Sequence, residues 1–177
     1  DGQVRQMIIE YQKRIIQTIV AEKDFGEFNV DLLSSSFKRC LRFSKVPYLN
    51  NHIELLGYET AMKYANGGDT QRLKDVLEDL HDYNSVPDKK FVIHTIKILA
   101  KYAETNQVGQ VDLEIRGGYF IESLFKFCQK EFNIKNEDDL NNYLILLHVC
   151  LKDSYDFLRH LNSITQQLDR ESIIEAL

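Results

Sequence analysis

Two histidines and one aspartate in this sequence have the residue types and spacing of a divalent-metal site. His52 lies in the stretch NNHIELLGY, and the pair His81 and Asp82 lies in the later stretch EDLHDYN. Neutral imidazoles and carboxylates bind such an ion, and the ion lowers the pKa of a bound water so that the water becomes a nucleophile near neutral pH. Both stretches have helical patterns, so a metal held between two helices is one hypothesis.

This set resembles the ligands of the HD family of phosphohydrolases. In that family a histidine on one helix and a His-Asp pair near the end of a following helix bind the metal, and a later aspartate completes its shell. The resemblance implies a metal-dependent phosphohydrolase with His52, His81 and Asp82 as ligands. The sequence departs from the family pattern in three places: acidic Glu78 and Asp79 precede the pair, YNSVPDKK replaces the usual Gly-Lys, and no later aspartate is singled out. The competing interpretation is a solvated helix end, where His81 meets the negative end of the helix dipole.

The remaining nucleophiles and bases form no recognisable catalytic set, so we expect a protein that is not an enzyme and needs no cofactor. Cys40, Cys128 and Cys150 are odd in number, far apart and set among apolar residues. We therefore predict buried, unreactive thiols in a reducing compartment, cytoplasm or nucleus. His94 and His148 lie in dense apolar stretches and are predicted to be core residues, whereas His160 is predicted to be exposed.

A cationic stripe is the clearest charge feature of a chain whose net charge is −5. Four basic residues recur at helical spacing after Val30, on the side opposite Phe37: Lys38, Arg39, Arg42 and Lys45. Up to Lys45 the chain carries eight basic and six acidic residues, and the rest is acidic. The stripe predicts either a solvated face or a surface for an acidic ligand, namely an acidic peptide, a phospholipid headgroup or a nucleic-acid backbone.

Composition favours helices to position these residues. The chain of 177 residues is 44% hydrophobic and has only two prolines and eight glycines, so we predict one all-α domain over residues 1–177. Its longest apolar run, Tyr143 to Leu151, is too short to span a membrane. Because the sequence does not start with Met, we expect it to be an excised fragment of a longer protein.

Apolar periodicity predicts about eight helices with a frayed ninth. We expect a helix end at Asn66-Gly67-Gly68, an N-cap at Asp69 or Thr70, and further N-caps at Asp138 or Asp139 and at Asp169. Taken as antiparallel pairs, the helices cover residues 4–44, 49–83, 88–132 and 138–168. This recurrence fits a short α-solenoid of HEAT or armadillo type, and a globular helical bundle fits equally well.

The leading functional hypothesis is a non-catalytic protein-protein interaction domain, a scaffold or adaptor. Its partner, a peptide or a helix, would insert apolar side chains into a groove between helices. The metal-dependent phosphohydrolase and the binding of an acidic ligand or nucleic acid by the stripe at 38–45 are the alternatives.

Overall fold

The computed structural model of the chain describes residues 2–7, 10–11, 14, 34–35, 37–38, 41, 50–84, 87–106, 115, 119–151 and 155–176. Residues 50–52, 151, 155–157 and 171–176 are described by their backbone alone. The described ranges are helical apart from short connections and contain no strand, which confirms the all-α prediction.

Six helices have defined bounds: α1 (Asn50–Gly67), α2 (Thr70–Tyr83), α3 (Lys89–Thr105), α4 (Tyr119–Glu131), α5 (Glu137–Leu151) and α6 (Tyr155–Ala176). Residues 2–7, 34–35 and 37–38 are also helical. The chain divides into two compact units, Asp1–Val86 and Pro87–Leu177, which are described here one by one. Within each unit the helices pack as a helical bundle, one of the two architectures that the sequence leaves open.

In the first unit, α1 and α2 form a helical hairpin whose turn has the predicted chemistry. Gly68 adopts a φ of 69°, a left-handed conformation that glycine enters without steric cost. Its N–H donates to Ala65 O (3.2 Å), and the Asp69 N–H donates to Tyr64 O (3.1 Å), the bond pattern of a Schellman motif. Asp69 then caps α2, because its side chain accepts the Arg72 N–H at 3.2 Å. The predicted helix end and the Asp69 N-cap are both confirmed.

The hairpin packs closely at Gly57. A Cβ atom at this position would lie 2.5 Å from Leu80 Cδ2 and 2.8 Å from Phe37 Cε2. Leu80 and Phe37 are themselves fully buried. Glycine is therefore needed at the crossing of α1 and α2, and Phe37 anchors its own helical turn against the same point.

In the second unit, α3 is the central helix. It packs against α4 and α5, and α5 in turn packs against α6. Eight of its residues are buried: Phe91, Val92, Thr95, Ile96, Ile98, Leu99, Tyr102 and Ala103. Asp88 caps its first turn by accepting the Phe91 N–H at 2.8 Å.

A buried carboxylate ties the start of α3 to the loop before α5. Asp139 is only 4% exposed; its Oδ1 lies 2.6 Å from Lys89 Nζ, and its Oδ2 accepts the Asn133 N–H at 3.0 Å. Burial alone would raise the pKa of Asp139, but the Lys89 ammonium and the Asn133 N–H hold that pKa below its usual value. The expected N-cap at Asp138 or Asp139 is wrong, because Asn136 Oδ1 accepts the Asp139 N–H at 3.1 Å and caps α5.

The expected N-cap at Asp169 is also wrong. Helix α6 continues from Tyr155 to Ala176, so the predicted eighth and ninth helices are one. No glycine or proline follows Leu168 to stop the helix, and an aspartate alone does not end one. None of the helices in the described ranges combines the length and apolar composition that a membrane span requires.

Candidate peptide-binding cleft

A cleft of about 380 Å³ in the first unit gathers both basic and acidic side chains. It lies between α2, Tyr64 of α1 and the helical turn that carries Lys38. Among the described residues its lining is Ser34, Ser35, Lys38, Tyr64, Arg72, Asp75 and Val76. A cleft of this size is at the lower end of the range for small-ligand and side-chain pockets.

The α2 side of the cleft follows from helical spacing. Arg72, Asp75 and Val76 lie at i, i+3 and i+4, so they share one face of the helix. Val76 is 1% exposed and forms an apolar part of the lining, whereas Arg72 and Asp75 are exposed. The apolar and charged parts of the lining therefore come from adjacent positions of one helix.

Asp69 and Tyr64 both contact the Arg72 side chain. Its Nε lies 3.7 Å from Asp69 Oδ2, and its guanidinium carbon lies 5.9 Å from the centre of the Tyr64 ring. The second distance is within the range of a cation–π interaction. Tyr64 is 5% exposed, so it acts as a fixed platform for the guanidinium at the edge of the cleft.

Lys38 stands on the other side of the cleft, next to the buried anchor Phe37. Lys38 is exposed, and its charge lies close enough to Asp79 of α2 to lower the pKa of that carboxyl. Burial is the larger effect, and with the nearby carboxylates of Asp82, Asp75 and Glu78 it raises the pKa of Asp79 above its usual value. Lys38 thus lines the cleft and also lies near Asp79.

The lining offers both kinds of hydrogen-bonding group. Lys38 and Arg72 are donors only, Asp75 is an acceptor, and the hydroxyls of Ser34 and Ser35 serve as either. A ligand with both carbonyl oxygens and N–H groups would match this mixture. The peptide chain carries both groups at nearly every residue.

The structure confirms neither the predicted stripe nor a role for it. Only Lys38 belongs to the described residues, while Arg39, Arg42 and Lys45 lie outside them. The structure instead brings Lys38 together with Arg72, which sequence reasoning did not single out. The only sequence signal for Arg72 is its position on the polar side of the amphipathic α2, and many arginines share that property.

The predicted metal ligands lie at one end of the α1–α2 hairpin. His52 is in the first turn of α1, and its side chain lies outside the described residues. His81 and Asp82 are in the last turn of α2, where His81 is half-buried and Asp82 is exposed. Among the described residues, no group of three histidine, cysteine or acidic side chains is arranged to bind a metal.

The other titratable residues have structural roles in the second unit. Burial raises the pKa of Cys128 to about 12, so this thiol is protonated at neutral pH. Burial and the nearby Lys97 lower the pKa of His94, which is half-buried. The prediction that His148 is a core residue is wrong: it faces solvent on the outer side of α5.

The prediction that His160 is exposed is also wrong. Its Nδ1 lies 3.0 Å from both the Tyr143 hydroxyl and Gln129 Nε2, and its ring stacks on Phe125 at 5.4 Å. These partners come from α4 and α5, so His160 holds α6 against both helices. Burial raises the pKa of Tyr143, which keeps its hydroxyl protonated at neutral pH.

Near the start of the chain an apolar stripe faces solvent. Val4, Met7 and Tyr11 are 53%, 72% and 64% exposed. The sequence places Val4 and Tyr11 on the apolar face of an amphipathic helix. If this face packed against the core, both side chains would be buried. Exposed apolar residues that adjoin one another are typical of surfaces that contact another molecule.

Comparison of the chain with protein-family models, with curated proteins and with solved structures finds no match. The fold and the geometry of the cleft therefore carry the functional argument.

Proposed function

We propose that the protein is a non-catalytic interaction module, a scaffold or adaptor, that binds a peptide segment of a partner protein in the cleft between α2 and the turn at Lys38. The observation that carries the proposal is the lining of this cleft. It combines two buried side chains, Tyr64 and Val76, with both donors and acceptors of hydrogen bonds, the groups that binding of a peptide requires.

The chemistry of the lining supports binding rather than catalysis. A nucleophilic site needs an activated hydroxyl or thiol beside a general base. The described lining residues include Ser34 and Ser35 but no histidine, and the one carboxylate among them, Asp75, accepts a bond from Gln71 at 3.1 Å. The hydrogen-bonding groups of the lining, together with the buried valine, fit the recognition of a peptide side chain and of the peptide backbone that carries it.

The exposed apolar stripe at Val4, Met7 and Tyr11 supports the same class of function, because it offers a second surface for protein contact. We place the activity in a reducing compartment, the cytoplasm or the nucleus. Cys128 and Cys150, which are buried and not joined in a disulfide, support this assignment.

Selection from a random peptide library displayed on phage tests the proposal. Enriched peptides should bind the full chain and should lose binding to Ser35→Tyr, because a phenol ring at this exposed position would fill the cleft. The matched control is Ser163→Tyr, a change of the same type at an exposed position of α6. The proposal fails if no peptide is enriched, or if the enriched peptides bind Ser35→Tyr as tightly as the unchanged chain.

A further inference from the structure

A row of lysines follows one side of α3 in the second unit. Lys90, Lys97 and Lys101 lie at i, i+7 and i+11, so helical spacing places them on the same face. Lys90 and Lys97 are exposed, and Lys101 is half-buried. At a rise of about 1.5 Å per residue, the first two lysines are about 10.5 Å apart along the helix axis and the whole row is about 16 Å long.

Two of these charges are not neutralised by the part of the chain that the structure describes. Lys101 Nζ lies 3.8 Å from a carboxylate oxygen of Glu104, whereas neither Lys90 nor Lys97 forms an ion pair with a described residue. His94 lies between them on the same face. Burial lowers the pKa of His94, and the charges of Lys97 and Lys90 lower it further. The face therefore carries a surplus of positive charge.

The position of Lys90 does not favour folding. It is the second residue of α3, at the positive end of the helix dipole, where a carboxylate would be stabilising and a cation is not. The preceding Lys89 has a structural partner, because its Nζ lies 2.6 Å from the buried Asp139. Lys90 has no such partner among the described residues. This difference favours a role for Lys90 in binding.

A row of apolar side chains runs beside the lysines. Ile93 and Ala100 are half-buried and lie three residues after Lys90 and Lys97, respectively. Residues three and four positions apart are neighbours on a helix, so each apolar side chain adjoins a lysine. A partner would thus meet apolar groups along one edge of the face and cations along the other.

We infer that this face of α3 is a docking surface for an acidic amphipathic helix of a partner protein. Carboxylates of the partner would pair with Lys90 and Lys97, and its apolar side chains would contact Ile93 and Ala100. The inference goes beyond the proposed function and does not rest on it, because α3 belongs to the second unit and the described lining of the cleft to the first.

The charges at the two ends of the row favour a helix over a nucleic acid or a membrane. Asp88 lies two residues before Lys90, Glu104 lies three residues after Lys101, and both acidic residues are exposed. A nucleic-acid backbone or an anionic lipid surface extends beyond the row of about 16 Å and would meet these carboxylates. Two glutamates seven residues apart on a helix are separated by about 10.5 Å, the same distance as Lys90 and Lys97.

Titration of the isotope-labelled full chain with model helices, followed by amide chemical shifts in NMR spectra, tests the inference. The probe is an alanine-rich peptide with glutamate at i and i+7 and leucine at i+3 and i+4. One comparison peptide has glutamine in place of both glutamates, and the other has its second glutamate on the opposite side of the helix. We expect saturable shifts at residues 90–104 with the probe, and binding about fivefold weaker with either comparison peptide.

Variants of the chain make the assignment specific. Lys90→Gln and Lys97→Gln should each weaken binding of the probe about two- to fivefold, the contribution of one exposed ion pair. Lys90→Gln should do so without lowering the melting temperature, because the charge that it removes opposes the helix dipole. The matched control is Lys126→Gln in α4, which removes an exposed lysine that lies 3.1 Å from Glu122. This control should leave binding unchanged.

Several outcomes would overturn the inference: equal binding of the probe and the glutamine peptide, binding unaffected by Lys90→Gln and Lys97→Gln, or no saturable shift in α3. Tighter binding of an RNA duplex or of phosphatidylserine vesicles at physiological ionic strength would also overturn it. The probe should bind Ser35→Tyr as tightly as it binds the unchanged chain. Failure of the cleft and failure of the α3 face are therefore seen in different variants.

Discussion

Replacement of the buried carboxylate at Asp139 is the most direct test of the packing in the second unit. The variant Asp139→Asn keeps the shape of the side chain but removes its charge. One oxygen of the unchanged residue faces the Lys89 ammonium at 2.6 Å, and the other accepts the Asn133 N–H at 3.0 Å. An amide has one acceptor oxygen for these two donors, so its NH₂ group must face one of them.

The expected cost follows from these contacts. A hydrogen bond to a charged group contributes about 1.5–3 kcal/mol, and removal of one partner of a fully buried ion pair costs about 3–5 kcal/mol. Lys89 is 49% exposed, so its ammonium can turn to water once the carboxylate is gone. We therefore expect Asp139→Asn to lower the free energy of unfolding at pH 7 by about 2–3 kcal/mol.

The matched control is Asp138→Asn, one residue earlier and exposed. It removes a carboxylate from the first turn of α5 and weakens only the favourable interaction with the helix dipole, a loss of about 0.3–1 kcal/mol. Urea unfolding followed by circular dichroism measures both variants. Hydrogen exchange of peptides from residues 119–151 locates the loss in the second unit.

The pH dependence gives a second check, and its sign is fixed. Because the folded-state pKa of Asp139 is lowered, its stabilising contribution is present above the unfolded-state pKa of about 4 and disappears as the pH falls through the folded-state value. The difference between the unchanged chain and Asp139→Asn should be constant from pH 5 to pH 8 and should shrink in acid. A cost no larger than that of Asp138→Asn, or one that persists unchanged in acid, would refute the reasoning.

Three further predictions follow from the described contacts. Gly57→Ala should lower the free energy of unfolding by about 1–2 kcal/mol, because the cost of overpacking exceeds the gain in helix propensity. The control is Gly67→Ala, whose new Cβ would have no atom within 4 Å. This control should be neutral or stabilising in the same urea experiment. Cys128 should resist alkylation by iodoacetamide in the folded chain at pH 8 and react after addition of urea; reaction without urea would contradict its burial. Purified protein should contain no stoichiometric transition metal by mass spectrometry; one metal per chain that is lost in His81→Ala would instead support the phosphohydrolase alternative.

Local signals explain what the sequence predicts correctly. The end of α1 and the start of α2 depend on residues within a few positions of one another: Gly68 supplies the left-handed turn, and Asp69 supplies the cap. The all-α class likewise follows from composition and apolar spacing. Such features need no knowledge of the tertiary fold.

The features that the sequence does not predict correctly depend on long-range contacts. Asp138, Asp139 and Asn136 are all suitable N-cap residues, and only the position of Lys89 shows why Asp139 is buried as an ion pair instead. His160 is stabilised by Tyr143, seventeen residues earlier in the chain, and by the more distant Gln129. In the cleft, sequence periodicity identifies Lys38 as a surface cation but carries no information about its proximity to Arg72.

The pKa of Asp79 is raised, whereas that of Asp139 is lowered, so a variant of Asp79 tests the electrostatics beside the cleft. Burial and three neighbouring carboxylates raise its pKa, and the Lys38 charge offsets only part of this effect. A carboxyl with a raised folded-state pKa contributes stability below the unfolded-state pKa and loses it as the pH rises through the folded-state value. At pH 7 the charged form is therefore disfavoured in the fold, so Asp79→Asn should raise the melting temperature. The gain should vanish near pH 3, where both residues are neutral. If Asp79→Asn instead lowers the melting temperature at pH 7, the attraction between Lys38 and Asp79 outweighs the cost of burial, and this reasoning is wrong.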